Sequence, residues 1–272
     1  MTSPARDAVF QTSDGSMIAF TVHPAPRPDA PRLALIHSLA LDRSVWDGVV
    51  GIIGQEAELL TYDCRGHGRS DRRAAAFTAD LFARDLGELL HHVGWQSAAV
   101  GGCSMGGCVA MAFAGVHPER VTGLALIDTT AWYGPDGPKQ FRARAEAART
   151  DGMTGLVEFQ VARWFSAAFV GRHPDVMTRV IRIFVANDFD CYAQSCVLLG
   201  DADLRRYLPV LRMPVSIVVG EEDQATPPAM ARELHDAIPH STLVMVPGAK
   251  HLTPIECPDR IGAALLAVLP RS

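Results

Sequence analysis

Five residues constrain this chain more than any others. Gly102-Cys103-Ser104-Met105-Gly106 lies between an apolar stretch at 97–100 and a charge-free stretch at 105–116 that His117-Pro118 closes. The first stretch reads as a strand and the second as a helix, so the chain must reverse within these few residues. Such a turn strains the central backbone and leaves the Ser104 hydroxyl projecting beyond the strand end. Glycines on either side remove the Cβ atoms that would collide there. A helix N-terminus behind the serine offers unpaired N–H groups and partial positive charge to a developing oxyanion. The turn therefore marks Ser104 as a candidate nucleophile. Residues 97–116 carry no charge over a length that could cross a bilayer. Gly101, Gly102, Gly106, Gly107 and Gly115 within it favour a strand, a turn and a buried helix instead.

The surrounding pattern supplies the sheet that such a turn needs. Val9-Phe10 and residues 17–22 flank Ser13-Asp14-Gly15, an Asp-Gly hairpin signal. Apolar runs at 33–36, 58–63 and 121–128 read as strands, and 45–53 as a helix. Residues 78–93 have helical period, with Leu81, Phe82, Leu86, Leu89 and Leu90 on one face. Alternating strands and helices predict an α/β fold: a mostly parallel twisted sheet with helices on both faces. From 130 to 207 the alternation stops, and helices are expected at 143–148, 155–165, 176–186 and 192–199. Strands then return at 215–219 and 242–246, with helices at 229–237, behind Pro227-Pro228, and 258–268. The expected organisation is a core of residues 1–129 and 208–272 with a helical lid, 130–207, inserted over the carboxyl edge of the sheet.

Composition narrows the class. A chain of 272 residues with 48% hydrophobic and 20% charged residues is neither disordered nor fibrous. A net charge of −5, with scattered arginines and only two lysines, Lys139 and Lys250, argues against nucleic acid as a partner. Residues 1–11 contain Arg6 and Asp7 and lack the apolar core of a signal peptide, so a cytoplasmic, membrane-free location is expected. The six cysteines then read as reduced thiols, and no spacing among them suggests zinc. Cys103, beside the candidate nucleophile, reads as a bystander.

A serine hydroxyl needs a base, and the base needs an orienting carboxylate. His251 follows the strand at 242–246 through Pro247-Gly248-Ala249-Lys250, and Asp223 follows the strand at 215–219 through Gly220-Glu221-Glu222. Both loops should open at the sheet edge that carries Ser104. Glu221, Glu222 and Asp128 are rivals for the acid; the first two read as solvated and Asp128 as a strand end. His37 reads as positioning backbone, His67 as a structural part of the 65–70 turn, His91 and His92 as helix-end residues, and His117 as part of a terminating loop. The backbone N–H groups of Leu39 and Met105 are the candidate oxyanion donors.

These residues resemble a known family: the α/β-hydrolases, and within them the 3-oxoadipate enol-lactonases. The likeness covers essentially the whole chain. It rests on Ile36-His37-Ser38-Leu39, Trp46-Asp47, Asp63-Cys64-Arg65-Gly66-His67-Gly68-Arg69-Ser70 and Ser104-Met105-Gly106-Gly107. Pro118-Glu119-Arg120-Val121, the stretch 220–228, Arg163-Trp164-Phe165, and Tyr192-Ala193 with Cys196 and Asp201-Ala202-Asp203-Leu204-Arg205 add to it. The chain departs from the family at Cys103, at Ala40 (commonly glycine) and at Asp128-Thr129-Thr130-Ala131-Trp132. The resemblance implies hydrolysis of a carboxylate-bearing enol-lactone in aromatic catabolism by Ser104, His251 and Asp223, without cofactor or metal. Ser38 and Arg163 would contact the substrate, and Trp132 and Trp164 would wall the pocket or fill the lid core. Alternatives stay open. They are another carboxylesterase, an acyl-homoserine lactonase or a carbon–carbon bond hydrolase, a cofactor-free perhydrolase or haloperoxidase, and a ligand receptor on the same scaffold.

Overall fold

The computed structural model describes residues 4–73 and 76–270. Its centre is an eight-stranded sheet. The strands are β1 (Arg6–Gln11), β2 (Met17–His23), β3 (Arg32–Ile36), β4 (Glu58–Tyr62), β5 (Ala98–Cys103), β6 (Val121–Ile127), β7 (Val215–Gly220) and β8 (Thr242–Val246), in spatial order β1-β2-β4-β3-β5-β6-β7-β8. β1–β2 and β2–β4 are antiparallel, and every other pairing is parallel. Asp14-Gly15 turns the β1–β2 hairpin with Gly15 at φ 88°. From β3 the chain goes to β4 on one side and then returns to β5 on the other. Ligands in open α/β sheets bind outside the strand carboxyl ends at such a reversal.

The core helices are α1 (Asp47–Ile53), α2 (Ala79–His92) and α3 (Met105–Val116). The expected α2 is capped by Thr78, whose hydroxyl accepts the Leu81 N–H at 3.0 Å, and it buries Phe82, Leu86, Leu89 and Leu90. Every residue of β5 is buried, as are Met105 to Ala114 of α3. The charge-free run 97–116 is thus a central strand and a buried helix. Among the described residues no helix is long and apolar enough to cross a membrane.

Successive residues of a strand face opposite sides of a sheet, and β5 uses glycine on both. A Cβ on Gly101 would meet Leu265 at 2.7 Å, and one on Gly102 would strike the carbonyl of Gly106 in α3. Leu265 belongs to the C-terminal helix described below, so the two faces of β5 are covered by different helices in close approach.

Between β6 and β7 the chain forms five helices: α4 (Gly137–Gly155), α5 (Val157–Trp164), α6 (Ala167–Arg172), α7 (Pro174–Val185) and α8 (Phe189–Asp201). α4 lies along α8, and Trp164, Phe184 and Tyr192 meet edge to face inside the group. α6 is an addition to the helices expected. It is six residues long and buries only Phe169, too little for a period to register. Hydrogen bonds to backbone carbonyls are among the contacts that tie this segment to the core. Asn187 Nδ2 donates to the Ala40 carbonyl at 2.8 Å, the Leu252 N–H to Trp164 O at 3.1 Å, and Lys250 Nζ to Ala162 O at 2.6 Å. Within the segment, its two ends meet where Trp132 pairs with Asp203 in an isolated antiparallel bridge. After β7 come α9 (Pro228–Ala237), and after β8 α10 (Thr253–Glu256) and α11 (Pro258–Leu266).

Candidate active site

Ser104 follows β5 directly and sits at φ 55°, ψ −114°. Positive φ is costly for any residue with a Cβ and persists only where the surroundings impose it. Here they do. The Ser104 N–H donates to Ile127 O at 2.9 Å, while Thr129 Oγ1 donates to Ser104 O at 2.7 Å. A Cβ on Gly106 would collide with the carbonyl of Ile36, so α3 starts against the end of β3. The serine is 4% exposed, with its hydroxyl aimed into a cavity above the sheet.

His251 Nε2 lies 2.9 Å from Ser104 Oγ, and its Nδ1 lies 2.8 Å from Asp223 Oδ2. Asp223 is held in turn. Its Oδ1 accepts the N–H groups of Ala225 and Thr226 at 2.7 and 3.0 Å, and its Oδ2 accepts the Thr226 hydroxyl at 2.9 Å. Burial pushes this carboxyl up, but attraction to His251 and the hydrogen bonds from His251 and Thr226 outweigh burial and leave it below the ordinary carboxylate range. An ionised Asp223 can only accept, so His251 carries its proton on Nδ1 and leaves Nε2 free to accept from Ser104.

The N–H groups of Leu39 and Met105 donate to no acceptor among the described residues. Met105 is the first residue of α3, where the N–H has no intrahelical partner. Leu39 is in the turn after β3, and the next residue, Ala40, is left-handed at φ 59°. That conformation favours glycine, which explains why Ala40 is a departure from the resembling family.

The rival acids fall away. Glu221 and Glu222 are exposed. Asp128 is fully buried, but its oxygens accept from Gly220 and Thr253 rather than from His251. His37 is a backbone clamp: Nδ1 donates to Ser38 O at 2.7 Å and Nε2 accepts the Cys64 N–H at 2.8 Å. Burial lowers His37 to about 4 and, with the neighbouring His37, His67 to about 3. Both rings are neutral. The Cys103 thiol is pushed well up by burial and by Asp128 and Asp223, which suits an inert side chain.

A cavity of about 450 Å³ opens over Ser104 and His251, lined from below by Ser38 and Leu39 and from above by α4 and α5. Of the residues expected to meet substrate, Ser38, Arg163 and Trp164 line it. Trp132 does not; its ring lies under the Arg205 guanidinium at 3.8 Å, held there by the bridge to Asp203. Arg163 lies over Phe159, with Nη2 donating to Gln224 O at 2.9 Å and Nε buried without a partner. The sequence reading missed Arg144, Gln160 and Tyr133. Arg144 projects from α4 into the cavity and donates through Nη2 to Gln160 Oε1 at 2.8 Å. No aspartate or glutamate lines the cavity, and neither arginine meets a carboxylate among the described residues. Nothing in the run 142–149, with arginines at 142, 144 and 149, singles out Arg144.

Comparison with known proteins agrees with this architecture. A family described as the alpha/beta hydrolase fold matches residues 31–258. The chain is 29% identical, over 89% of its length and 90% of the relative's, to 3-oxoadipate enol-lactonase 2 of Acinetobacter baylyi. Among solved structures, the enol-lactonase from Burkholderia xenovorans LB400 superposes with a TM-score of 0.90 at 30% identity, covering 95% of this chain and 98% of that one. A thermophilic esterase from Thermogutta terrifontis, with malate bound, gives 0.86 at 28% identity with 97% of each chain covered.

Proposed function

The chain belongs to the α/β-hydrolase fold family, and from that premise we propose that it is a cytoplasmic serine hydrolase that opens a small, carboxylate-bearing lactone. The substrate of choice is 3-oxoadipate enol-lactone, as an intermediate of aromatic catabolism. One observation carries the reading: the Asp223–His251–Ser104 chain of contacts at 2.8 and 2.9 Å, ending in a cavity. Ser104 Oγ attacks the lactone carbonyl while His251 Nε2 takes its proton, and ionised Asp223 stabilises the imidazolium. The oxyanion is met by the N–H groups of Leu39 and Met105, each worth roughly 10²–10³ in rate by comparison with measured oxyanion donors. The ring C–O bond breaks, and the enol oxygen leaves with the proton from His251. Relaxation of the enol to its ketone draws the ring opening forward. Water then gives a proton to His251 and attacks the acyl carbon, and Ser104 departs with that proton.

Residues 130–207 act in this reading as a lid that supplies the cavity's upper wall. Two arginines whose partners are neutral oxygens, and no acid, along that wall favour an anionic substrate. The names of the relatives favour an enol-lactone, and a malate-bound esterase among the neighbours is compatible with a carboxylate-bearing ligand. The test compares hydrolysis of freshly generated enol-lactone with neutral lactones and p-nitrophenyl esters. Enol-lactone should be preferred in kcat/KM by at least about 10²-fold, the scale of one charge-assisted contact. Faster turnover of neutral esters would reassign the enzyme as a general esterase.

A further inference from the structure

Asp128 directly follows β6 and is 0% exposed, yet the proposed chemistry gives it no role. Its backbone is left-handed, at φ 47°, and its N–H donates to Val218 O at 2.8 Å. Its two oxygens reach different parts of the site. Oδ1 accepts the Gly220 N–H at 3.1 Å, and Gly220 is the last residue of β7, three before Asp223. Oδ2 accepts both the N–H of Thr253 at 3.0 Å and its hydroxyl at 2.6 Å, and Thr253 is two residues past His251. Its chain neighbours complete the pattern: Ile127 O accepts the Ser104 N–H, and Thr129 Oγ1 donates to Ser104 O. Three consecutive residues thus touch the segments that carry the serine, the acid and the imidazole.

We infer that Asp128 is a positioning residue for the reaction: one carboxyl group fixes the loop of His251 to the strand end that leads to Asp223. The inference rests on the triad reading above. Two anchors follow His251 directly in the chain. The Leu252 N–H is tied to Trp164 O in α5, and Thr253 is tied to Asp128 in the sheet. Of these two, the second refers the imidazole to the end of β6, and on the other side of His251 the Ala249 carbonyl accepts the Glu222 N–H at 2.9 Å from the loop that carries Asp223. Fold stability gives no comparable reason for a carboxyl here. All its partners are uncharged donors, and burial and the nearby Asp223 both push its affinity for a proton up. A buried acid without a cation is costly, so the site retains it for its geometry.

The test uses the whole protein, with kcat and KM measured separately and the far-downfield proton of His251 Nδ1 followed by NMR. Asp128→Ala removes three acceptor contacts, and misplacing a catalytic group by about 1 Å costs roughly 10²-fold. We expect kcat to fall by about that factor, KM to stay within about threefold, and the imidazole proton signal to move or broaden. Asp128→Asn keeps the shape and one acceptor and should restore at least about tenfold of the loss. Should Asp128→Ala not fold, Thr253→Val removes a single donor and should lower kcat roughly three- to tenfold at constant KM. Unchanged kcat, an unmoved imidazole signal, or an asparagine no better than alanine would overturn the inference. Ser104→Ala runs alongside: if it keeps the activity, the triad reading itself has failed, a result distinct from failure of the Asp128 role.

Discussion

Ser104, Asp223 and His251 reach the cavity from turns at strand ends, where backbone hydrogen bonds and excluded Cβ volume leave little freedom. Arg144, Gln160 and Arg163 reach it from α4 and α5, helices held to the core by a handful of contacts such as Asn187 to Ala40 and Leu252 to Trp164. The two regions line one space by different physics. The strand ends are set by the sheet, whose parallel ladder and flanking helices allow few alternatives to the groups located there. The helices meet one another mainly through side chains, including the Trp164–Phe184–Tyr192 cluster, and can exchange polar residues without disturbing the sheet. In the proposed reading, bond making therefore belongs to the rim, and choice of substrate to the helices.

That division can be broken by variants on each side. The largest effect is expected at the rim. Asp223→Asn keeps the size of the side chain but presents a donor to His251, favouring the wrong tautomer. Loss of kcat by about 10⁴ is expected by analogy with a triad aspartate changed in the same way, with KM little altered. A loss below about tenfold would mean that the acid is dispensable.

On the helical side the effect should be smaller and of another kind. Arg144→Met removes a guanidinium and keeps much of the stem. KM for carboxylate-bearing substrates should rise by roughly 10–100-fold, the value of a charge-assisted hydrogen bond, while neutral esters should react as before. Equal effects on charged and neutral substrates would erase the distinction between the regions.

The smallest effect concerns stability and lies on the rim. His67 is lowered to about 3, chiefly by burial, against about 6.5 in an unfolded chain. Because the folded value is depressed, its contribution is complete above about pH 6.5 and is lost as the pH falls toward 3. His67→Gln should therefore lose less melting temperature than the parent between pH 7 and 5. The comparison must be with the parent, because carboxyls raised by burial, such as Asp63, act with the opposite sign over part of that range. A parallel decline in parent and variant would show that His67 does not stay neutral in the fold.

How much of this was visible in the sequence follows the same line. The strained turn at Ser104 could be read because only glycines tolerate the approach of Gly102 to Gly106 and of Gly106 to Ile36. β8 runs over the expected 242–246, and α9 and α11 lie within a residue or two of the expected spans. The order serine, aspartate, histidine picked three residues that meet in space. The helical segment was harder. Its four expected helices are present, three of them longer and α5 shorter than expected, and α6 was invisible because it buries a single phenylalanine. Trp132 looked like a pocket wall by its place after β6, but a bridge to Asp203 turns it to Arg205. Arg144 and Gln160 leave no local trace, because their burial depends on how α4 and α5 meet and not on either helix alone.

The account stands most directly on whether Ser104 forms a covalent acyl intermediate. Rapid mixing of the protein with excess p-nitrophenyl ester, followed by acid quenching and peptide mass spectrometry, tests this. The account predicts a burst approaching one nitrophenol per chain and an acyl group on the peptide containing Ser104, both absent from Ser104→Ala. Turnover with no adduct, or with the adduct on another residue, would contradict it.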